Sequence, residues 1–491
     1  MTIDWLLIPL ALLYFLVVGV LFIYGINFFY LTYQTWHRPA GMAVPPPPTE
    51  SEWPHVTVQL PLYNELYVAE RIIDAAARLD YPAGRLEIQV LDDSTDETAA
   101  IVAAAVTRWQ AKGVNIHHLH RQNRQGFKAG ALQAGLLRTE GELIAIFDAD
   151  FVPQVDYLRR IVPYFTPETA FVQARWGHLN RSYSLLTRLQ AVAIDAHFVV
   201  EQFARCQAGY WFNFNGTAGV WRRQALLDAG GWRADTLTED LDISYRALLR
   251  GWRAVYVRDL EVPAELPVSI SAFRRQQHRW ARGSLECALK LGPQVWRSAA
   301  PLSVKLEATL HLLGYGVHLL LFALVLLYPV VLLLSQQYPD LLILFGLAYF
   351  FNVTALAPTC FFLAGQQHLG QRWWRVLPRI LFVTAVGCGL MVNTVRAALQ
   401  IITQRQTVFE RTAKFGIQQT GEDWVGKRYQ LKLDGIVYWE LALALLNLGT
   451  IVYALHLGNW IIAFYAAIFL IGLLYVAGLT LVQSLRLYLA R

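Results

Sequence analysis

Long apolar runs bracket one large polar segment in this chain, and most of them have the length of a membrane-spanning helix. A helix needs about 20 apolar residues to cross the hydrocarbon core of a bilayer. Spans are predicted at Leu6–Tyr30, Leu310–Leu334, Leu341–Leu363, Ile436–Leu455 and Trp460–Val482. A sixth run, Arg375–Ile402, has a shorter uninterrupted apolar core with arginines on both sides, so we interpret it as an interfacial or re-entrant segment.

The charges in the connectors predict how these helices are oriented. Arg372–Arg379, Arg405–Lys432 and the C-terminal tail are basic, whereas Ser335–Asp340 and Leu457–Trp460 contain no Lys or Arg. Basic loops are retained in the cytoplasm. The sequence therefore favours five spans, with the N-terminus outside and the polar segment and C-terminus in the cytoplasm. Six spans, the weaker alternative, would place a strongly basic loop outside.

The polar segment alternates between strand and helix patterns. Strands are predicted at His55–Leu60, Leu86–Leu91, Asn115–Leu119 and Leu143–Phe147, and helices at Val68–Leu79, Asp96–Gln110 and Ala129–Arg138. This alternation indicates βαβ units and a parallel sheet with helices on both faces. Four consecutive prolines, Pro45–Pro48, separate this segment from the first apolar run and are expected to form a stiff spacer.

The composition supports a membrane protein and narrows its environment. The 491 residues are 55% hydrophobic and 16% charged, with a net charge of +6; soluble proteins contain about 25% charged residues. Outside the membrane-proximal segments there is no basic stripe interleaved with aromatic residues, so the charge favours contact with the lipid bilayer and excludes nucleic acid. The four cysteines are widely scattered, which disfavours a zinc site or a disulfide framework and indicates a reducing compartment.

Two acidic clusters follow predicted strands, and ligands of open α/β sheets bind beyond the carboxyl ends of the strands. Asp148 and Asp150 flank one alanine, so at an extended strand end their side chains lie on the same side. Oxygen ligands at this spacing suit Mg²⁺ or Mn²⁺ bridging a diphosphate. In the other cluster Asp96 suits a helix cap, which leaves Asp92 or Asp93 for hydrogen bonds to a nucleoside.

Further residues could bind a phosphate-containing donor or take part in its reaction. Lys128 lies between glycines at a predicted helix N-terminus, where it can contact a phosphate. Glu239 and Asp240 open another predicted helix; they either cap it or supply a general base that removes the proton from an acceptor hydroxyl. Asn215 and Gly216 belong to a run of small residues that would allow a ligand to approach closely.

A basic aromatic motif and a histidine pair each have two interpretations. The motif Gln276–Trp280 suits an amphipathic interfacial helix, but Trp280 could equally stack on a sugar ring. His118 and His120 share one face of a predicted strand, as metal ligands would. No carboxylate or Cys lies near them in sequence, so metal binding at these histidines is disfavoured.

Taken together, five ordered motifs resemble those of the processive family-2 glycosyltransferases, which include the cellulose, chitin and hyaluronan synthases. They are Pro61–Glu65, Leu91–Ser94, Phe147–Asp150, Thr238–Asp240 and Gln276–Trp280. The phrases Gln173–Trp176 and Phe214–Gly219 are similar to those of the plant cellulose-synthase-like A and C branches, which make glucomannan and xyloglucan-type β-1,4 backbones. The resemblance implies a membrane protein with a cytoplasmic α/β domain of GT-A (Rossmann-like) fold and a C-terminal helical transmembrane channel.

The resemblance also implies a role for each motif residue. Tyr63, Glu65 and Asp93 would hold the nucleoside, Lys128 would contact the nucleotide, Asp148 and Asp150 would hold the metal diphosphate, Asp240 beside Glu239 would be the base, and Gln276, Arg279 and Trp280 would grip the diphosphate and the acceptor sugar. Cellulose synthases carry a gating loop with an FxVTxK motif. Here Phe409, Thr412 and Lys414 keep that spacing, with Arg411 in place of Val.

We therefore expect an inverting, metal-dependent hexosyltransferase of a bacterial inner membrane or plasma membrane. It would extend a β-linked polysaccharide, β-1,4-glucan or β-mannan/glucomannan, from UDP-glucose or GDP-mannose and pass the polymer through its own helices. Transfer of one sugar to a membrane lipid is the alternative reaction, and a non-catalytic scaffold or transporter is the remote alternative.

The expected divisions of the chain follow from these assignments. They are an N-terminal transmembrane anchor (1–36), a Pro-rich linker (37–54), the GT-A domain (55–265), amphipathic interface helices (266–305), a transmembrane pair (306–365), an interfacial or re-entrant helix (366–403), a gating-like loop (404–432) and a second transmembrane pair with the tail (433–491).

Overall fold

A computed structural model describes residues 4–38, 43–337, 352–405, 411–430 and 434–490. Much of the predicted span Leu341–Leu363, and Phe409 of the predicted gating loop, lie outside the described residues. Within them, the chain forms one α/β domain that is preceded and followed in sequence by long apolar helices.

In the described part of the chain, seven strands form one sheet, and helices cover it and continue beyond it. The strands are β1 Val56–Leu62, β2 Leu86–Asp92, β3 Ile116–His120, β4 Leu143–Ile146, β5 Thr169–His178, β6 Gly219–Arg222 and β7 Arg253–Ala264. The helices are α1 Asp4–His37, α2 Ala69–Ala77, α3 Thr98–Gln110, α4 Phe127–Leu136, α5 Tyr157–Ile161, α6 Leu185–Ala196, α7 Phe203–Gln207, α8 Arg223–Asp228, α9 Glu239–Leu249, α10 Ile270–Arg297, α11 Leu302–Leu312, α12 Gly316–Gln337, α13 Ala357–His368, α14 Trp373–Gly389, α15 Met391–Ile402, α16 Ile436–His456 and α17 Trp460–Leu489. A π-helical segment, His197–Gln202, joins α6 to α7.

The sheet is mixed, with the strand order β3-β2-β1-β4-β6-β5-β7. Strands β1 to β4 are parallel to their neighbours among themselves, but β6 is antiparallel to both β4 and β5. The four predicted strands, β1 to β4, are parallel as expected. Strand β6, which was not among the predicted strands, is antiparallel and makes the sheet mixed. Burial does not reveal strand direction, because Val220 and Trp221 of β6 are as fully buried as Ile144 and Ile146 of parallel β4.

The sheet brings the motifs that follow β1, β2 and β4 to one edge. Leu62, at the end of β1, pairs with Asp92 at the end of β2, and β4 runs parallel to β1 on its other side. The residues that follow these strands therefore start from the same carboxyl edge. Apolar clusters on both faces anchor the edge, and each fully buried aliphatic side chain contributes about 1.5–3 kcal/mol.

Five helices among the described residues are long and apolar enough to cross a membrane. They are Pro9–His37, Gly316–Gln337, Trp373–Ile402, Ile436–His456 and Trp460–Leu489. Four of them coincide with predicted spans, while Trp373–Ile402 corresponds to the segment that we interpreted as interfacial or re-entrant.

That segment is not a single straight helix, since α14 and α15 meet at Leu390. Val376, Ile380 and Val383 of α14 belong to one apolar cluster with Leu186 of α6, which is a helix of the α/β domain. Helix α15 packs against α10, which follows the last strand of the same domain. Packing against the domain supports an interfacial position, which stays a prediction.

Candidate active site

A cleft lies at the carboxyl edge of the sheet, between the α/β domain, α10 and the segment 411–430. Most residues that the sequence singled out line this one cleft. They are Tyr63, Glu65, Asp93, Lys128, Asp148, Asp150, Asn215, Gly216, Glu239, Asp240, Gln276, Arg279, Trp280, Thr412 and Lys414.

Asp240, the candidate base, lies in the first turn of α9 and faces the cleft. Its Oδ1 accepts a local hydrogen bond from the Leu241 N–H at 2.9 Å. Burial and the neighbouring Glu239 carboxylate raise the pKa of Asp240 to about 7, against the opposing effect of the Lys128 ammonium group. A carboxylate with a pKa near neutral pH is suited to general base catalysis.

Lys128 in α4 holds together groups from three other elements. Its Nζ lies 2.5 Å from Asp148 Oδ1 and 3.8 Å from Glu239 Oε1, and it donates a hydrogen bond of 3.0 Å to the Gly216 carbonyl. Burial opposes the charge of Lys128, but the Asp148 and Glu239 carboxylates outweigh it and raise its pKa. The cleft therefore keeps a positive charge next to the candidate base.

The loop before β6 approaches Asp240 at a glycine. Gly216 has a φ of 80°, and a Cβ at this position would lie 2.9 Å from Asp240 Oδ2. The preceding Asn215 is fixed on both sides, since its Oδ1 accepts from Gln202 Nε2 at 2.6 Å and its Nδ2 lies 3.1 Å from His197 Nε2. The glycine thus allows close approach, while the π-helical segment orients Asn215.

The two carboxylates predicted to bind metal both face the cleft. Asp148 Oδ1 is paired with Lys128, and Asp150 Oδ2 lies 2.5 Å from Lys414 Nζ. Carboxylate oxygens at the two positions are hard ligands that fit Mg²⁺ or Mn²⁺. Both side chains could therefore hold a divalent cation in competition with an ammonium group.

Two ion pairs occupy the predicted nucleoside end of the cleft. Asp93 accepts from Arg121 through both oxygens, at 2.6 and 2.5 Å. Glu65 Oε2 lies 3.2 Å from Arg411 Nη1. Burial raises the pKa of Glu65 to about 8, although Arg411 acts in the opposite direction.

Asp92 was expected to contribute to nucleoside binding, but its side chain does not line the cleft. It is fully buried and lies between His118 and His120, which contact its Oδ2 at 2.9 and 3.1 Å. Burial opposes its ionisation, but hydrogen bonds from His118 and Ser94 lower the pKa of Asp92 below its ordinary value. No carboxylate lies near these histidines in sequence, but pairing of β2 with β3 brings Asp92 next to both of them.

The segment 411–430 closes one side of the cleft. Lys414 Nζ also donates to the Glu265 carbonyl at 2.8 Å, and the Arg411 guanidinium lies 4.1 Å from the centre of the Tyr429 ring. Thr412 Oγ1 is buried without a hydrogen-bond partner among the described residues. Arg411, which departs from the cellulose synthase motif, therefore contributes an additional charge to the cleft.

A second cavity of about 440 Å³ adjoins the cleft. Trp176, Asn215, Asp240 and Trp280 line both of them, and the two Trp rings lie 6.5 Å apart. The second cavity continues between side chains of α1, α12, α13 and α14. The candidate base thus stands where the polar cleft meets a passage beside the apolar helices.

Some cleft residues were not found by sequence reasoning. The Arg124 guanidinium lies 3.4 Å from the centre of the Tyr63 ring. His178 Nε2 lies 2.9 Å from Asp195 Oδ1, and burial lowers the pKa of His178 to about 3. The basic stretch before α4 was a signal for Arg124, whereas nothing in the sequence near His178 marked it.

Two family models match the chain, one over the α/β domain and one over its second half. Residues 54–283 match the family model described as "Glycosyltransferase like family 2". Residues 224–483, more than half of the chain, match the family model "Cellulose synthase". The chain belongs to the cellulose synthase family. The resemblance inferred from the five ordered motifs is confirmed.

Similar curated proteins from plants match about half of this cellulose synthase family member. The chain is 47% identical over 254 residues to glucomannan 4-beta-mannosyltransferase 2 of Arabidopsis thaliana, covering 50% of this chain and 48% of the relative. It is 45% identical over 254 residues to glucomannan 4-beta-mannosyltransferase 1 of Oryza sativa subsp. japonica, covering 50% and 49%. The match thus spans about half the length of each relative.

The mannosyltransferase PcManGT of Pyrobaculum calidifontis, solved in complex with GDP-Man and Mn²⁺, has a similar fold. The TM-score is 0.51 at 19% sequence identity, and the match covers 81% of this chain and all of that one. With the family matches, this likeness confirms the predicted GT-A domain combined with apolar helices.

Proposed function

We propose that this cellulose synthase family member is a processive, inverting β-mannosyltransferase that extends a β-1,4-mannan or glucomannan from GDP-mannose. The names of the curated relatives favour mannose over glucose. UDP-glucose and a β-1,4-glucan are the alternative donor and product within the same chemistry.

One observation carries the proposal: Asp240 lies at the junction of the polar cleft and the second cavity. A donor held by the cleft would present its anomeric carbon next to this carboxylate. An acceptor chain in the second cavity would present its terminal hydroxyl from the opposite direction. The base between two binding spaces supports transfer, and the passage beside the apolar helices supports repeated addition, since it gives the growing chain a path away from the cleft.

The bond changes follow from this arrangement. The acceptor hydroxyl gives its proton to Asp240 while its oxygen forms a bond with the anomeric carbon. The bond from that carbon to the diphosphate oxygen breaks, the electron pair leaves with the nucleoside diphosphate, and the configuration inverts. Lys128 and Arg279, which line the cleft, stabilise the charge of the departing group.

Asp148 and Asp150 are the residues that would hold Mg²⁺ or Mn²⁺. When bound, the cation would neutralise charge on the diphosphate. Gln276 supports a ligand in the same cleft, because its Oε1 is buried there without a hydrogen-bond partner among the described residues. Trp280 and Trp176 supply aromatic surfaces for the sugar rings of the acceptor.

We further propose that the α/β domain faces the cytoplasm of an integral membrane protein, since the basic connectors favour that side. The five apolar helices and the family support membrane integration. The curated relatives are plant proteins and give no support to the bacterial membrane that we expected.

Donor and product are tested with the purified full chain in lipid nanodiscs. The protein is incubated with Mn²⁺ and either radiolabelled GDP-mannose or radiolabelled UDP-glucose, and the product is separated on a sizing gel. We expect a long product from GDP-mannose that endo-β-1,4-mannanase degrades. A long product from UDP-glucose alone would overturn the sugar assignment, and a lipid carrying a single sugar would overturn processivity. Absence of donor-dependent nucleotide release would favour the non-catalytic alternative.

A further inference from the structure

Three potential metal ligands converge at the edge of the sheet, outside the cleft. Asp92 ends β2, and His118 and His120 lie on the edge strand β3, which pairs in parallel with β2. Side chains alternate along a strand, so the two histidines share a face. His118 Nε2 lies 2.9 Å and His120 Nδ1 lies 3.1 Å from the same oxygen, Asp92 Oδ2.

We propose that Asp92, His118 and His120 bind a late first-row divalent cation, such as Zn²⁺, Co²⁺ or Ni²⁺. Two imidazole nitrogens and one carboxylate oxygen favour these metals over Mg²⁺. In a tetrahedral site with bonds of about 2.1 Å, neighbouring ligand atoms are about 3.4 Å apart. The ligand atoms of these three side chains lie within 4.8 Å of one another, so small side-chain movements would bring them to that spacing. The site is separate from the diphosphate site proposed at Asp148 and Asp150.

The surroundings of the three ligands suit a cation. Asp92 is fully buried, and its other oxygen, Oδ1, accepts from the Ser94 N–H at 2.8 Å. Such outer hydrogen bonds orient the ligands of metal sites. The side chains of His118 and His120 are 21% and 40% exposed, so a cation can enter from solvent and keep water molecules as further ligands.

The same atoms can form hydrogen bonds when no cation is bound, with each histidine donating to Asp92 Oδ2. A cation replaces these two contacts by two nitrogen–metal bonds. For a cation to bind, each imidazole must carry its proton on the ring nitrogen that does not face Asp92.

An occupied site would act on the nucleoside end of the cleft through the next residues in sequence. Asp93 follows Asp92, Arg121 follows His120, and these two form the bidentate ion pair described above. Arg121 also donates to the carbonyl of Phe127, at the start of α4, at 3.1 Å. The cation would therefore fix the ends of both strands below the nucleoside pocket and stabilise the domain.

The test is a titration of the purified full chain with Co²⁺ in the presence of excess Mg²⁺, followed by visible absorption and thermal unfolding. We expect one Co²⁺ per chain, a ligand-field absorption band and a higher unfolding temperature. His118→Ala and His120→Ala should each weaken Co²⁺ binding at least about tenfold. His117→Ala is the matched control, since His117 lies on the opposite face of the same strand and contacts Asn115 Oδ1 at 2.9 Å.

Three results would overturn the proposal: no Co²⁺ binding by the wild-type chain, binding retained in both His118→Ala and His120→Ala, or loss of the band in an Asp148→Asn/Asp150→Asn double variant. Unfolding curves without metal establish that each variant is folded, and His118→Gln replaces His118→Ala if the latter is not. Binding is measured without substrate, so failure of the proposed transferase activity would not affect this result.

Discussion

At the residue scale, opposing charges around Asp240 set the protonation state of the candidate base. Glu239 and burial favour its protonated form, and Lys128 favours its ionised form. Lys128 is itself shared with Asp148. The Lys128 ammonium group therefore acts on both the candidate base and the predicted diphosphate site. Substitution of one of these residues tests this link.

Asp240→Asn should remove transfer without removing donor binding, because an amide cannot accept the acceptor proton. We expect the rate to fall about 100- to 10,000-fold, measured as donor-dependent release of nucleoside diphosphate. Asp235→Asn is the control, since Asp235 lies outside the cleft and pairs with Lys290 at the surface. Wild-type elongation by Asp240→Asn would show that another group is the base.

Ionisation of Asp240 should raise the transfer rate and lower the stability as the pH rises. The transfer rate should increase as the pH rises through about 7, because only ionised Asp240 accepts a proton. Its folded pKa exceeds its ordinary value of 3.8, so its contribution to stability is complete below that value and is lost as the pH rises through about 7. The unfolding temperature should therefore fall less for Asp240→Asn than for the wild type between about pH 5 and about pH 8.5. Equal losses in both proteins would contradict the raised pKa.

At the scale of elements, the loop before β6 is restricted by its contact with α9. Gly216→Ala places a Cβ against Asp240 Oδ2, whereas Gly209→Ala introduces the same left-handed strain with no atom within 4 Å of the new Cβ. Each change should cost roughly 1–2 kcal/mol of stability. Only Gly216→Ala should abolish transfer, as measured by product formation at a temperature where both variants are folded. Activity in Gly216→Ala would contradict the contact.

The segment 411–430 should affect metal binding through Lys414. In Lys414→Met the ammonium group no longer competes for Asp150, so Mn²⁺ should bind more tightly, as measured by electron paramagnetic resonance. Lys427→Met is the matched control, because Lys427 Nζ in the same segment donates to the Phe415 carbonyl at 2.6 Å. Unchanged Mn²⁺ affinity in Lys414→Met would mean that the ion pair and the cation do not compete.

At the scale of the whole molecule, the path of Trp373–Ile402 decides how the cleft meets the membrane. The interfacial interpretation places both ends of this segment on the side of the α/β domain. The six-span interpretation places them on opposite sides. Because α14 packs against α6, we expect the interfacial arrangement.

This expectation can be measured with single cysteines at Gln371, Arg405 and the reference position Lys112, all exposed, in a variant without the four natural cysteines. In sealed vesicles, a membrane-impermeant maleimide should label all three from the same side. Labelling of Gln371→Cys and Arg405→Cys from opposite sides would establish that the segment crosses the membrane.

The sequence by itself determined the features that depend on neighbouring residues. The strand at Leu143–Ile146 and the helix at Thr98–Gln110 follow from local periodicity, and their observed bounds differ from the predicted ones by at most two residues. Asp148, Asp150 and Asp240 were identifiable because each follows a strand or opens a helix within a known motif.

Only the tertiary structure decided which groups meet and which do not. It placed β6 antiparallel between β4 and β5, turned Asp92 away from the cleft towards His118 and His120, and paired Lys414 with Asp150 from the far end of the chain. The physical reason is that burial leaves a periodic pattern along the sequence, whereas hydrogen bonds and ion pairs depend on distances in space. Those distances are set by strand order and helix packing, which no local pattern specifies.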